Sequence, residues 1–254
     1  MSNYIAFLGK ELIESIRTYK LLILLSVFFV FGILNPLAAK MLPDLLDILM
    51  TEGISITLAE PTAFDSWTQF FKNITQMGFI VMVVVFSGIL GTELSKGTLI
   101  NMLTKGLSRG AVILSKYTSM ALIWTMSITI SFLVTWGYTI YLFPGDEVVN
   151  LLFSVFCLWL FGIFLLALLM FASALVNSNY GCLLITGAGA AACMLCSIIP
   201  NAYKYNPLSL ATKNMDLITN ATEVSSLYSP IWISVILSII FITSSVLIFR
   251  KKQL

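Results

Sequence analysis

Histidine is absent from this chain of 254 residues. With it go the commonest metal ligand and the commonest acid–base catalyst near neutral pH. Charge is scarce as well. Only 10% of the residues are Asp, Glu, Lys or Arg, against about 25% in a soluble domain. Core packing cannot account for that deficit, because 59% of the residues are hydrophobic and the mean hydropathy is +0.98. The composition places the chain in a membrane. A net charge of +2 gives no electrostatic footprint for nucleic acid. No G-x-x-x-x-G-K-[ST] run is present, so the chain cannot by itself cradle nucleotide phosphates in a P-loop. The apolar runs are continuous rather than alternating, which favours helices over a membrane barrel. No internal repeat or low-complexity tract interrupts them.

The gaps between charges mark the spans. Nineteen uncharged residues separate Lys20 from Lys40, twenty separate Lys72 from Glu93, and twenty-nine separate Lys116 from Asp146. Fifty-six separate Glu147 from Lys204, and twenty-six separate Glu223 from Arg250. A helix needs about 20 apolar residues to cross a bilayer. The longest gap contains the turn-like stretch NSNYG, Asn177 to Gly181, and so holds two helices. The expectation is an all-α integral membrane protein. Its six transmembrane helices fall at about 21–39, 73–92, 117–142, 151–176, 181–200 and 230–249, in one membrane domain over 21–254.

With the N-terminus inside, segments 1–20, 93–116, 177–180 and 250–254 carry ten basic and three acidic residues, a net of +7. The segments on the other side carry four and nine, a net of −5. This asymmetry predicts that both termini are cytoplasmic. A cleaved signal peptide over 1–39 is disfavoured, because its apolar run is long and PLAAK lacks an A-x-A site. Residues 1–20 place Ile5, Leu8, Leu12, Ile16 and Tyr19 at helical spacing, with Lys10, Glu14 and Arg17 between them. They read as an amphipathic helix at the inner surface. The segments at about 41–72 and 201–229 exceed a simple turn, and each has room for a short helix.

The search for chemistry returns little. No ionisable residue lies deep in a span, whereas ion-driven carriers usually need one there. A membrane-embedded enzyme would need clustered His, Asp, Glu or Ser, and the spans offer only hydroxyls and cysteines. Cys193-Met-Leu-Cys196 has redox or metal spacing. It lies in an apolar helix, and packing is the stronger reading. Gly187 with Ala191, and Ala188 with Ala192, allow a neighbouring helix to approach. Ser127, Ser131 and Thr135 form a stripe on the third span. It either bonds to the helix and its neighbours or lines a pathway. Asn35-Pro36 is expected to kink or end the first span. Trp67, Trp136 and Trp232 stand near span ends as interfacial anchors.

One segment remains: ELSKGTLINMLTKGLSR, Glu93 to Arg109. Leu99, Met102 and Leu103 share one helical face, and Gly97 and Gly106 punctuate the stretch. Positive-inside charge explains its lysines. An apolar face shown to the cytosol is expected to dock a soluble partner. Glu93-x-x-x-Gly97-Thr98-Leu99, then Leu103-Thr104, then Leu107-Ser108-Arg109 with Lys116 seven residues on, resembles the signature of ABC-2 type permeases. These are the six-helix membrane subunits of type V, or G-type, ABC exporters. The amphipathic start with Lys10-Glu11 and the span spacing extend the resemblance over nearly the whole chain. One departure is Gly106, where the family commonly has proline.

The resemblance implies a cytoplasmic coupling helix between spans two and three, docked on a separate ATPase subunit that holds ATP and Mg²⁺. No cofactor is implied on this chain. The implied coupling residues are Glu93, Gly97, Thr98, Leu99, Met102, Leu103, Thr104 and Arg109. Leu99 and Leu103 would fill the partner's groove, and Arg109 would meet lipid phosphate or a partner carboxylate. Lys10, Glu11 and Arg17 would join through the N-terminal helix. Two ATPase copies and a second permease chain, identical or different, complete the implied unit in a bacterial cytoplasmic membrane. Charge-poor, aromatic spans suit a hydrophobic or amphipathic cargo. Members of this size often resemble exporters of antimicrobial peptides or peptide toxins, including immunity systems. The expected cargo is therefore an amphipathic peptide. Hydrophobic drug or ion efflux, and a non-transporting assembly subunit, are the alternatives.

Overall fold

A computed structural model describes residues 3–49, 60–95, 97, 99, 103–104, 106–145, 148–176, 178–199 and 202–252. The described residues contain helices and turns but no strand. In chain order the helices are α1 (Asn3–Arg17), α2 (Lys20–Leu49), α3 (Ala63–Asn73), α4 (Phe79–Phe86) and α5 (Gly91–Ser95). They continue with α6 (Arg109–Leu142), α7 (Leu151–Leu175), α8 (Asn179–Ile198), α9 (Ser209–Thr212), α10 (Asn214–Ile218) and α11 (Tyr228–Lys251). Six stretches are long and apolar enough to cross a membrane, as the charge gaps predict: Lys20–Leu42, Ala63–Leu94, Arg109–Leu142, Leu151–Leu175, Asn179–Ile198 and Val224–Lys251.

The second span starts earlier than the expected residue 73. Lys72 does not bound it, because that side chain lies exposed on the last turn of α3. The start is set by Thr62, whose backbone N–H donates to Asp65 Oδ2 at 2.9 Å. That contact satisfies a donor the first turn would otherwise leave open. A π-turn at Ile74–Gly78 then joins α3 to α4.

Pro36 does not end the first span; α2 runs through it. Proline lacks the N–H that would bond to the carbonyl of Gly32. Thr135 on α6 makes that bond instead, its hydroxyl donating to Gly32 O at 3.2 Å. Asn35 Nδ2 donates to the same Thr135 oxygen at 3.3 Å, and Asn73 Nδ2 donates to Asn35 Oδ1 at 2.7 Å. A neighbouring helix therefore supplies what the proline removes, which is how spanning helices tolerate proline in lipid.

α7 is the hub of the bundle and is buried on most sides. Its Gly162 lets Trp124 of α6 come very close, since a Cβ there would lie 2.4 Å from the indole. Trp124 also meets Phe28 of α2 and Phe79 of α4 edge-on or tilted, at ring distances of 5.5 and 5.6 Å. These rings join four helices at one level. Trp67 is not an interfacial anchor. It is 1% exposed and stacks near Phe70 and Phe132. Trp136 and Trp232 remain exposed. α8 is peripheral, and its Gly187, Ala188, Ala191 and Ala192 face outward. All four cysteines are free thiols; Cys193 is half-buried and Cys196 exposed.

Candidate functional site

The termini lie on one side of the bundle, and the polar chemistry gathers there. α1 presents three faces. Phe7, Glu11 and Ser15, spaced by four, are buried against the bundle. Ile5 and Ile16 lie roughly a third of a turn or more to one side and are exposed, as a helix resting in the membrane surface requires. Lys10 and Glu14 lie on the opposite flank. The predicted apolar stripe is therefore split: Ile5, Ile16 and Tyr19 are exposed while Leu12 packs against the core, and the bundle is met by a face built around a carboxylate.

That carboxylate is one of five charges in direct contact. Lys116 Nζ on α6 lies 2.9 Å from Glu11 Oε2 and 2.7 Å from Glu93 Oε2 on α5. Lys10 Nζ lies 3.0 Å from Glu11 Oε1 and also pairs with Glu14 and Glu93. Lys116 is 1% exposed, and Glu11 and Glu93 are also buried. Lys20 stands within electrostatic reach of the group. The phenyl ring of Phe7 sits under both ammonium groups, 5.1 Å from Lys10 Nζ and 5.8 Å from Lys116 Nζ. Burial alone would lower the pKa of Lys10. Hydrogen bonds to Glu14 and Glu93 and the charge of Glu11 outweigh burial and hold it above the ordinary lysine value. Glu11, Glu14 and Glu93 approach within 4.8 Å of one another, a spacing that would suit a metal ion. The Lys10 ammonium contacts all three, and Lys116 pairs with two of them.

Buried ions are costly to desolvate and hold only when paired with good geometry. Their use here is positional. Three elements far apart in sequence are fixed to one another: the surface helix, the end of the second span and the start of the third. Tyr4 adds a hydrogen bond from its hydroxyl to Thr118 Oγ1 at 2.8 Å.

Of the segment after Glu93, Gly97, Leu99, Leu103, Thr104 and the residues from Gly106 onward are described; Thr98 and Met102 lie outside the described residues. Leu99 is fully buried and Leu103 packs partly against the same core. The expectation of an apolar face offered to a partner is corrected at Leu99, which the bundle covers. Thr104 is exposed. Gly97 and Gly106 adopt φ of +68° and +90°, a region L-residues avoid. Proline is locked near φ −65°, so the family's proline could not adopt the bend made at Gly106.

Arg109 is engaged within the chain itself. Its Nη1 donates to the carbonyls of Phe249, Arg250 and Lys252 at 3.0, 2.8 and 2.7 Å. These carbonyls end α11 and have no partner within the helix. Lys252 Nζ donates in turn to Ala174 O near the end of α7, at 3.0 Å. Arg17 is exposed and stands outside the ion-pair cluster. The stripe Ser127, Ser131 and Thr135 is buried against the α2 side of α6. Thr135 serves Gly32 and Asn35, and Ser127 donates to Ile123 O at 2.8 Å. Of the two readings of the stripe, these contacts fit bonding to its own helix and to a neighbour. Two residues of the site were not singled out from the sequence as partners, Glu14 and Lys116. The available signal was an acid or a base at a span edge in a chain nearly without either.

The bundle and its charged face define a multi-pass helical membrane protein whose two termini share one side. The family model for ABC-2 family transporter proteins matches residues 5–254, so the chain belongs to that family. It is a permease subunit of an ABC transporter, and membership implies partnership with an ABC ATPase. No curated protein matches the chain in sequence.

Proposed function

We propose that the chain exports a hydrophobic or amphipathic cargo, an amphipathic peptide by preference, with residues 93–109 as the coupling segment that takes force from the ATPase. The observation that carries the coupling reading is the ion-pair cluster. Lys10, Glu11, Glu93 and Lys116 join the surface helix to the ends of two spans, and Leu99 is sunk into the same core. A push on this segment passes to the spans rather than being absorbed by a loop. Glu93, Leu99 and Leu103 hold the segment to the bundle. Gly97 and Gly106 shape its two bends. Thr98, Met102 and Thr104 complete it, and Thr104 is the exposed contact. Two ATPases, each with ATP and Mg²⁺, and a second permease chain make the working unit in the bacterial cytoplasmic membrane. The segment faces the cytosol in line with the charge asymmetry.

The cargo reading is supported by a cavity of about 640 Å³ between α6 and α7, lined by Phe132, Leu133, Trp136, Leu151, Leu152 and Phe153. An opening with so few polar groups suits an apolar molecule drawn from the bilayer. The test places a photo-crosslinking residue at Thr104 in the assembled complex. An adduct with the ATPase is expected; a complex that copurifies without forming the adduct refutes the coupling role. For the cargo, amphipathic peptides should stimulate ATP hydrolysis. Stimulation by hydrophobic drugs alone would overturn the peptide reading while leaving the coupling reading intact.

A further inference from the structure

On the side away from both termini, the turns between α8 and α11 enclose a cavity of about 460 Å³. Its wall includes Lys204, Lys213, Thr222, Ser225, Ser226 and Ser229, and no carboxylate is among the described lining residues. That chemistry runs against its surroundings. Segments on this side carry nine acidic residues and only four lysines, and two of those four line one cavity. The nearest acid in sequence, Glu223, is engaged: the Ser225 hydroxyl donates to its carboxylate at 2.9 Å and the Ser226 hydroxyl to its carbonyl at 2.7 Å. Those bonds fix the lip of the cavity. The side chains of Lys204, Thr222 and Ser229 have no hydrogen-bond or ion-pair partner among the described residues, so their donors remain for an occupant.

Depth identifies the occupant. Pro230, in the first turn of α11, belongs to the cavity wall and to the last membrane span. Tyr205, Tyr228 and Trp232 stand exposed around the same level, and such rings sit at lipid headgroup height. The cavity is several times larger than an inorganic phosphate, with room for a phosphate carrying its glycerol. We infer that it binds the headgroup phosphate of an anionic phospholipid in the leaflet opposite the termini. Lys204 and Lys213 flank the phosphate, and Thr222 and Ser229 bond to its oxygens. The inference does not depend on the identity of the cargo.

The test extracts the full chain from vesicles of equal phosphatidylglycerol and phosphatidylcholine into mild detergent and counts the retained lipid by mass spectrometry. The native chain should retain phosphatidylglycerol in excess. Lys204→Gln with Lys213→Gln should lower that retention on the order of thirtyfold, from two lysines near an anionic headgroup. Lys40→Gln with Lys72→Gln removes the same charge from this side at two lysines outside the described cavity wall, and should retain the lipid as the native chain does. Equal retention of the two lipids by the native chain, or equal loss in both double variants, overturns the site. Displacement of phosphatidylglycerol by excess inorganic phosphate would assign the cavity to a free oxyanion and overturn the lipid assignment. Native unfolding temperatures in both variants separate these outcomes from misfolding.

Discussion

Replacing Lys116 with methionine tests the positional role of the ion-pair cluster most directly. The substitution keeps the length and apolar stem of the side chain and removes its charge. Lys116 makes contacts of 2.9 and 2.7 Å with two buried carboxylates. At an effective dielectric of ~20, each contact amounts to ~6 kcal/mol of gross attraction. Desolvation of the ions offsets much of that, at several kcal/mol per ion. Removing the lysine forfeits the attraction but leaves Glu11 and Glu93 buried, with Lys10 alone in direct contact and Lys20 at longer range. The expected loss is ~3–5 kcal/mol. In a chain of this length that lowers the unfolding temperature on the order of 10 °C. Indole fluorescence of the detergent-purified chain during heating reads the shift, and hydrogen exchange along α1 shows where it originates. Adding Glu11→Gln to Lys116→Met removes one stranded carboxylate and should restore most of the loss. If Lys116→Met unfolds at the native temperature, or if the double variant is no more stable than the single one, the cluster does not hold α1 to the bundle.

Thr135→Val leaves the Gly32 carbonyl and the Asn35 amide without their partner and should cost ~1–3 kcal/mol, whereas Thr135→Ser should stay near native; equal unfolding temperatures for the two would refute the proline-rescue role. Gly106→Pro forces φ from +90° to about −65°. It should abolish cargo-stimulated ATP hydrolysis in the complex, and undiminished stimulation would show that the bend is dispensable. Lys10 has a pKa above the ordinary lysine value, so its contribution is complete below that value and fades only as pH rises through the folded-state pKa. Native and Lys10→Met chains should therefore lose stability in parallel from neutral pH to about pH 10, and curves that diverge in that window would contradict the raised value.

The spans were legible because charge is so rare: a lysine or glutamate usually marks an edge. The rule misled at Lys72, where a charged side chain reaches outward from the last turn of α3 and the helix continues. Asn35-Pro36 reads locally as a break, and its tolerance depends on Thr135, which is 100 residues away from Asn35. No spacing rule links such a pair. The same holds for Glu11 and Lys116, separated by 105 residues, although Glu93 and Lys10 were both read as functional. The apolar face of segment 93–109 was visible at Leu99 and Leu103. Whether that face meets a partner or its own bundle depends on how the chain folds back, and the sequence pattern is the same in both cases.

The ion-pair cluster also orders events during synthesis. Glu93 and Lys116 follow their N-terminal partners by 83 and 105 residues. At ribosomal speeds of about 5–20 residues per second, α1 emerges roughly 5–20 s before its partners exist. During that interval its charges have nowhere buried to go. The exposed Ile5, Ile13 and Ile16 give the nascent helix a berth on the bilayer surface, from which it closes on the bundle once the hairpin of the second and third spans has inserted.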